Sequence, residues 1–127
     1  MRFAAHVVSL FALLAAPFCG PAHASDYEVG ASLVCDTQEQ VEHFVAQYTG
    51  DAQAAIQYVN DEEKNPTACA MMNIAYMRGA QVAMARHGAN AFKIIRVLVV
   101  GVETGNGVLS VTPAVYFSLQ SVKEFMV

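Results

Sequence analysis

Few residues of this 127-residue chain have the type and spacing that chemistry requires. Glu39 and His43 stand four apart in a segment that reads as a helix, so both fall on one face. A carboxylate and an imidazole at that spacing can hold a metal ion. A site needs a third and a fourth ligand, however, and no residue at matching spacing supplies them. A solvated helix face is the commoner use of such a pair. His87 lies beside Gly88 in a stretch that reads as a turn, with no partner evident in the sequence. Met71, Met72, Met77 and Met84 lie within fourteen positions, and thioethers are soft ligands for Cu(I). Methionines dedicated to copper come at tight, repeated spacing with histidine among them. Here Ala, Ile and Tyr intervene, and core filling by flexible apolar side chains is the commoner outcome.

Catalytic signatures are missing from the sequence. There is no Gly-x-Ser-x-Gly, no His-Glu-x-x-His, no phosphate loop and no dinucleotide fingerprint. The carboxylates Asp61, Glu62 and Glu63 form a run at a helix end, where solvation is the ordinary explanation. The expectation is a protein that is not an enzyme, with no cofactor and no catalytic residue.

Two cysteines carry a clearer message once the amino terminus is read. Arg2 is followed by an almost unbroken apolar run from Phe3 to Leu14, and Ala22-His23-Ala24 then offers small residues at the positions a signal peptidase reads. Residues 1–24 are therefore expected to be a secretory signal peptide, too short in its apolar run to stay as a membrane anchor. Lipid attachment at Cys19 is disfavoured, because Pro17-Phe18 fits a lipobox poorly. Removing 24 of the 127 residues leaves 103, enough for one domain over residues 25–127. Loss of Arg2 leaves six Lys and Arg against eleven Asp and Glu, a net of −5. An acidic domain without a basic cluster has no electrostatic footprint for nucleic acid or anionic membrane. Of the three cysteines only Cys35 and Cys69 remain, and a periplasmic or secreted location lets them pair as a disulfide.

The elements that must position these residues follow from periodicity. A short strand is expected over residues 25–35. Asp36 then reads as a helix N-cap with Glu39 completing a capping box. Val41, Phe44, Val45 and Tyr48 mark one apolar helix face, with Gln40, His43 and Gln47 on the wet side. Gly50 ends that helix and Asp51 caps a second, in which Ala52, Ala55, Ile56 and Val59 repeat the spacing. Residues 68–86 are open to two readings: Ala and Met permit a helix, whereas alternation of Met72, Ile74 and Tyr76 favours two strands or one bent strand. Phe92 to Val102 is apolar on both faces and reads as a central strand. Gly105-Asn106-Gly107 predicts a type I′ hairpin turn, after which Val108 to Val111 returns, Pro113 interrupts the ladder and Ala114 to Val122 gives a last strand. The expected fold is α+β: an N-terminal strand, two amphipathic helices, then an antiparallel sheet of about four strands. Two short helices cover only one face of such a sheet. A self-closing, barrel-like sheet is the expected solution, and a homodimer the other.

The segments Leu33-Val34-Cys35-Asp36-Thr37, Val59-Asn60, Pro66-Thr67-Ala68-Cys69 and Pro113-Ala114-Val115-Tyr116-Phe117 resemble those of short exported proteins of alphaproteobacteria. The resemblance implies a periplasmic protein with the 35–69 bridge, and it carries over no catalytic residue. The function expected is that of a small exported binding or accessory protein of the cell envelope, with a protein or small molecule of the periplasm as its partner. The exposed candidates for such contact are His43, His87 and Asn106. The alternative is a copper-handling protein that uses the methionine stretch.

Overall fold

The structure is a computed structural model and describes residues 27–121. The expected signal peptide, its cleavage site after Ala24 and Val122 lie outside the described residues. The elements are β1 (Glu28–Cys35), α1 (Gln38–Gln47), α2 (Ala52–Glu63), β2 (Cys69–His87), β3 (Asn90–Thr104) and β4 (Gly107–Ser121). The fold is α+β, with four antiparallel strands closed into a ring in the order β1-β2-β3-β4. The first of those strands precedes the helices.

Helix α1 starts one residue later than the sequence predicts. Thr37, not Asp36, is the N-cap: its hydroxyl accepts the Gln40 N–H at 3.2 Å, and the Gln40 side chain accepts the Thr37 N–H at 3.1 Å. The reason lies in the sheet. Asp36 donates its backbone N–H to the Ala68 carbonyl at 3.0 Å, which keeps it extended alongside the β1–β2 pair. Glu39 therefore takes no part in the box. Gln40, expected on the wet side, is buried because its amide turns back to the cap. Asp51 caps α2 as expected, accepting the Ala54 N–H at 3.1 Å.

The ambiguous stretch is one bent strand. β2 runs unbroken from Cys69 to His87, and its register against β3 shifts between Ala75 and Tyr76, between Arg78 and Gln81, and between Gln81 and Ala83. Such shifts bend a strand and increase its twist. Gly79 sits within them, where an added Cβ would stand 2.7 Å from the Arg96 carbonyl oxygen. The two expected return segments join into the single strand β4. Pro113 does interrupt its ladder, since pairing jumps from Gly101↔Ser110 to Val99↔Ala114. At the β3–β4 hairpin the positive φ falls on Gly107 alone, at +116°, and not on Gly105 or Asn106. The turn is thus not type I′: the positive φ lies on the residue after the two-residue tip, in a ladder whose register runs without a shift from Gly101↔Ser110 to Thr104↔Gly107. The β2–β3 turn does put a positive φ on Gly88.

Two clusters form the core. Leu33, Cys35, Val41, Phe44, Val45, Ala55, Ile56, Val59, Cys69 and Ile94 join the helices to one face of the sheet. Val34, Ile74, Ile95, Val97 and Val99, with Tyr76, Val111 and Tyr116 against them, form the second from strand residues. The alternation of Leu33, Val34 and Cys35 splits β1 between the two clusters, as the period of a strand requires.

Cys35 and Cys69 are bonded directly across the β1–β2 ladder, with Cα atoms 4.1 Å apart. Asn60 reinforces the junction: its side chain accepts the Cys69 N–H at 2.8 Å and donates to the carbonyls of Cys69 and Pro66, both at 3.0 Å. Replacing Cys35 by Ser is expected to cost about 3–4 kcal/mol from the lost loop constraint. That corresponds to a Tm lower by about 15–20 °C in a domain this size, measured by thermal unfolding followed by circular dichroism. Asn60→Ala strands the N–H and carbonyl of the buried Cys69, and a loss of about 2–3 kcal/mol is expected in urea unfolding. A midpoint equal to that of the parent protein in either variant would mean that the junction is not the anchor described.

Candidate functional site

Closure of the ring leaves a cavity of about 570 Å³ beside the second cluster. That lies within the size range of small-molecule sites. Val34, Ala70, Met72, Ile74, Val99, Val102 and Val111 supply an apolar wall, and Asp36, Thr67, Thr112 and Tyr116 supply the polar groups. The floor and the rim differ. Val34, Ile74 and Val99 are buried, whereas Asp36, Thr67 and Thr112 are exposed. The walls come from four separate stretches of chain: the end of β1, the start of β2, the middle of β3 and the region of β4 around Pro113.

Local chemistry fixes the rim. Because the Asp36 N–H bonds to the Ala68 carbonyl, Asp36 and Thr67 stand on adjoining chain segments at one side of the cavity. Asn65 holds Thr67, its carboxamide oxygen accepting both the Thr67 N–H and the Thr67 hydroxyl at 3.0 Å. Asp36 is freed for the rim by the shift of the N-cap to Thr37. Distant from this rim, Arg78 makes a paired hydrogen bond with Glu28, at 3.0 Å and 3.1 Å to its two oxygens. That bond, first of all, pushes the guanidinium pKa further above its ordinary value, so Arg78 is a fixed cation at any working pH.

The residues singled out from sequence do not converge. Cys35 and Cys69 form the disulfide. His43 is half-buried rather than freely exposed: its Nε2 is 3.9 Å from a Glu39 oxygen and its buried Nδ1 is 3.7 Å from a Glu62 oxygen, without a hydrogen bond. Among the described residues no set of three His, Cys, Asp or Glu side chains is arranged to hold a metal ion. His87 closes β2 opposite Asn90 and borders a separate surface hollow between the α1–α2 turn and the β2–β3 hairpin. Asn106 is at the tip of the β3–β4 hairpin, its N–H bonded to the Thr104 hydroxyl at 3.3 Å. The three proposed contact residues thus belong to three different places.

The methionines separate in the same way. Met71 and Met72 point to opposite faces of β2, and only Met72 reaches the cavity. Met71 and Met77 share a face but are separated by roughly 20 Å of extended chain, too far to ligate one ion. Met84 lies beyond two further register shifts.

What sequence reading missed is the cavity itself and the part Asp36 takes in it. Alternation of Met72, Ile74 and Tyr76 favoured extended chain over helix, and the stretch is a strand. Nothing local announced that Val34, Val102 and Val111 would meet it across a closed ring. In comparisons with protein-family models, curated proteins and solved structures, the chain matches none of them.

Proposed function

We propose that this is an exported, non-catalytic binding protein of the cell envelope that holds one small, largely apolar molecule in the cavity of its strand ring. The observation that carries the reading is the composition of that cavity: seven apolar side chains around a recess of about 570 Å³, with a few polar groups gathered at its rim. Such walls gain from excluding water around an apolar guest, and a few oriented polar groups select which guest. The signal-like residues 1–24 and the Cys35–Cys69 disulfide support export, because such bonds persist in oxidising compartments. A copper-handling role draws no comparable support from the spread of the methionine side chains.

The neutral fluorophore N-phenylnaphthylamine tests the reading on the purified protein. One molecule per chain is expected to bind with a rise in fluorescence that saturates. Ala70→Phe and Val102→Phe fill the cavity from two strands and are each expected to weaken that binding at least tenfold while leaving the thermal unfolding curve cooperative. Absence of saturable binding, or binding equally strong in both variants, would overturn the proposal.

A further inference from the structure

The polar lining of the cavity carries a carboxylate and three hydroxyls but no cation among the described residues, and that asymmetry says what kind of ligand fits. Among the described residues, Asp36 is the only charged one lining the cavity; no described Lys, Arg or His contributes to it. Its carboxylate has no hydrogen-bond or ion-pair partner among the described residues, so its acceptor capacity is unspent. Thr67 beside it has committed its hydroxyl hydrogen to the Asn65 carboxamide, at 3.0 Å. What its oxygen presents to the cavity is lone pairs. The backbone N–H groups of these two residues are also taken: that of Asp36 by the Ala68 carbonyl, and that of Thr67 by Asn65. The side-chain donors left on the described lining are the hydroxyls of Thr112 and Tyr116, both uncharged. The domain as a whole carries an excess of acidic residues, eleven against seven over the full chain.

From this we infer that the ligand is a small organic ammonium: an apolar body seated against the Val34 and Ile74 floor, and a cationic N–H head held at the rim by Asp36 and Thr67. This rests on the reading of the cavity as a ligand site and adds the class of molecule. An ammonium brings two or three donors to the acceptors of Asp36 and Thr67, and its charge is matched by the unpartnered Asp36 carboxylate. A fatty acid or other apolar anion meets the reverse. It would face the Asp36 carboxylate with no cation of the described lining to receive it. A neutral guest of the same shape gains the apolar wall and loses the charge-assisted bond.

Three compounds with one apolar body separate these cases: phenylbutylammonium, phenylbutanol and phenylbutyrate, each competing with bound N-phenylnaphthylamine. The ammonium is expected to bind about tenfold more tightly than the alcohol, and the carboxylate more weakly than either. Raising ionic strength should narrow the gap between ammonium and alcohol, because the rim is exposed and its field is screened. Asp36→Asn should bring the ammonium to within about twofold of the alcohol while the alcohol's own affinity stays unchanged. Asp36→Lys should reverse the order in favour of the carboxylate. Equal binding of ammonium and alcohol by the parent protein would overturn the assignment of ligand class and leave the apolar site standing. So would an ammonium preference that survives Asp36→Asn. Failure of all three compounds to displace the bound fluorophore would likewise overturn the ligand class alone, whereas absence of fluorophore binding removes the site and the ligand class together.

Discussion

Everything in this molecule is referred to one point, the backbone around Cys35. There β1 pairs with β2 through Cys35↔Cys69 and with β4 through Cys35↔Phe117, the one position where β1 and β4 share a ladder. The helical excursion begins immediately after Cys35 and returns immediately before Cys69, across a sequence separation of 34. A sheet whose first two strands are interrupted by two helices faces a loop-closure cost before any strand pairing rewards it. The covalent bond reduces that cost in the unfolded chain, and the Asn60 side chain aligns the returning backbone by three hydrogen bonds. Both sulfur-bearing residues are 1% exposed, so the bond is also part of the helix-side core.

The same junction explains which parts of the fold were legible in the sequence. Helix faces were, because Val41, Phe44, Val45, Ala55, Ile56 and Val59 repeat at helical spacing and all are buried. The start of α1 was not. Asp36 and Thr37 are both good caps by residue type, and the choice between them is made by the Asp36 N–H bond to Ala68, a contact across the excursion. A local rule has no access to it. Gln40 followed from that choice: polar by type, buried by the cap it completes. The hairpin tip at Gly105-Asn106-Gly107 was located correctly, but the positive φ fell on Gly107 and not within the tip, a choice that residue type does not make among three consecutive turn-forming residues. β2 presents the same limit on a larger scale. Its alternation favoured a strand without excluding a helix, while its bends come from register shifts against β3 that only the paired strand defines.

The candidate site was less legible than the fold, for a related reason. Catalytic and metal motifs announce themselves by residue type at short spacing, and the histidines and methionines were singled out on that basis. This cavity is assembled from ordinary valines, an alanine, an isoleucine and a methionine drawn from strands far apart in sequence. Its chemistry lies in what its polar groups have already spent. Thr67 becomes an acceptor because Asn65 takes its hydrogen, and Asp36 is unpartnered because Thr37 took the cap. Neither property belongs to the residue type alone.

The alternation of a strand ties the staple to the site. Cys35 turns toward the helices, so its neighbours Val34 and Asp36 must turn the other way, into the cavity. On β2, Cys69 joins the helix-side cluster while Ala70 faces the cavity. The bond that fixes the distance between Cys35 and Cys69 therefore also fixes the spacing of Val34, Asp36 and Ala70, which wall the opposite face. An apolar recess with one charged group at its rim discriminates between ligands only if that group is held in place, since a mobile carboxylate would relax into water. The exposed Asp36 side chain has no partner to hold it, so its position is set by its backbone, clamped at 3.0 Å to Ala68 and one residue from the disulfide. In this chain the element that secures the fold and the element that would orient a ligand are two faces of the same short stretch of sheet.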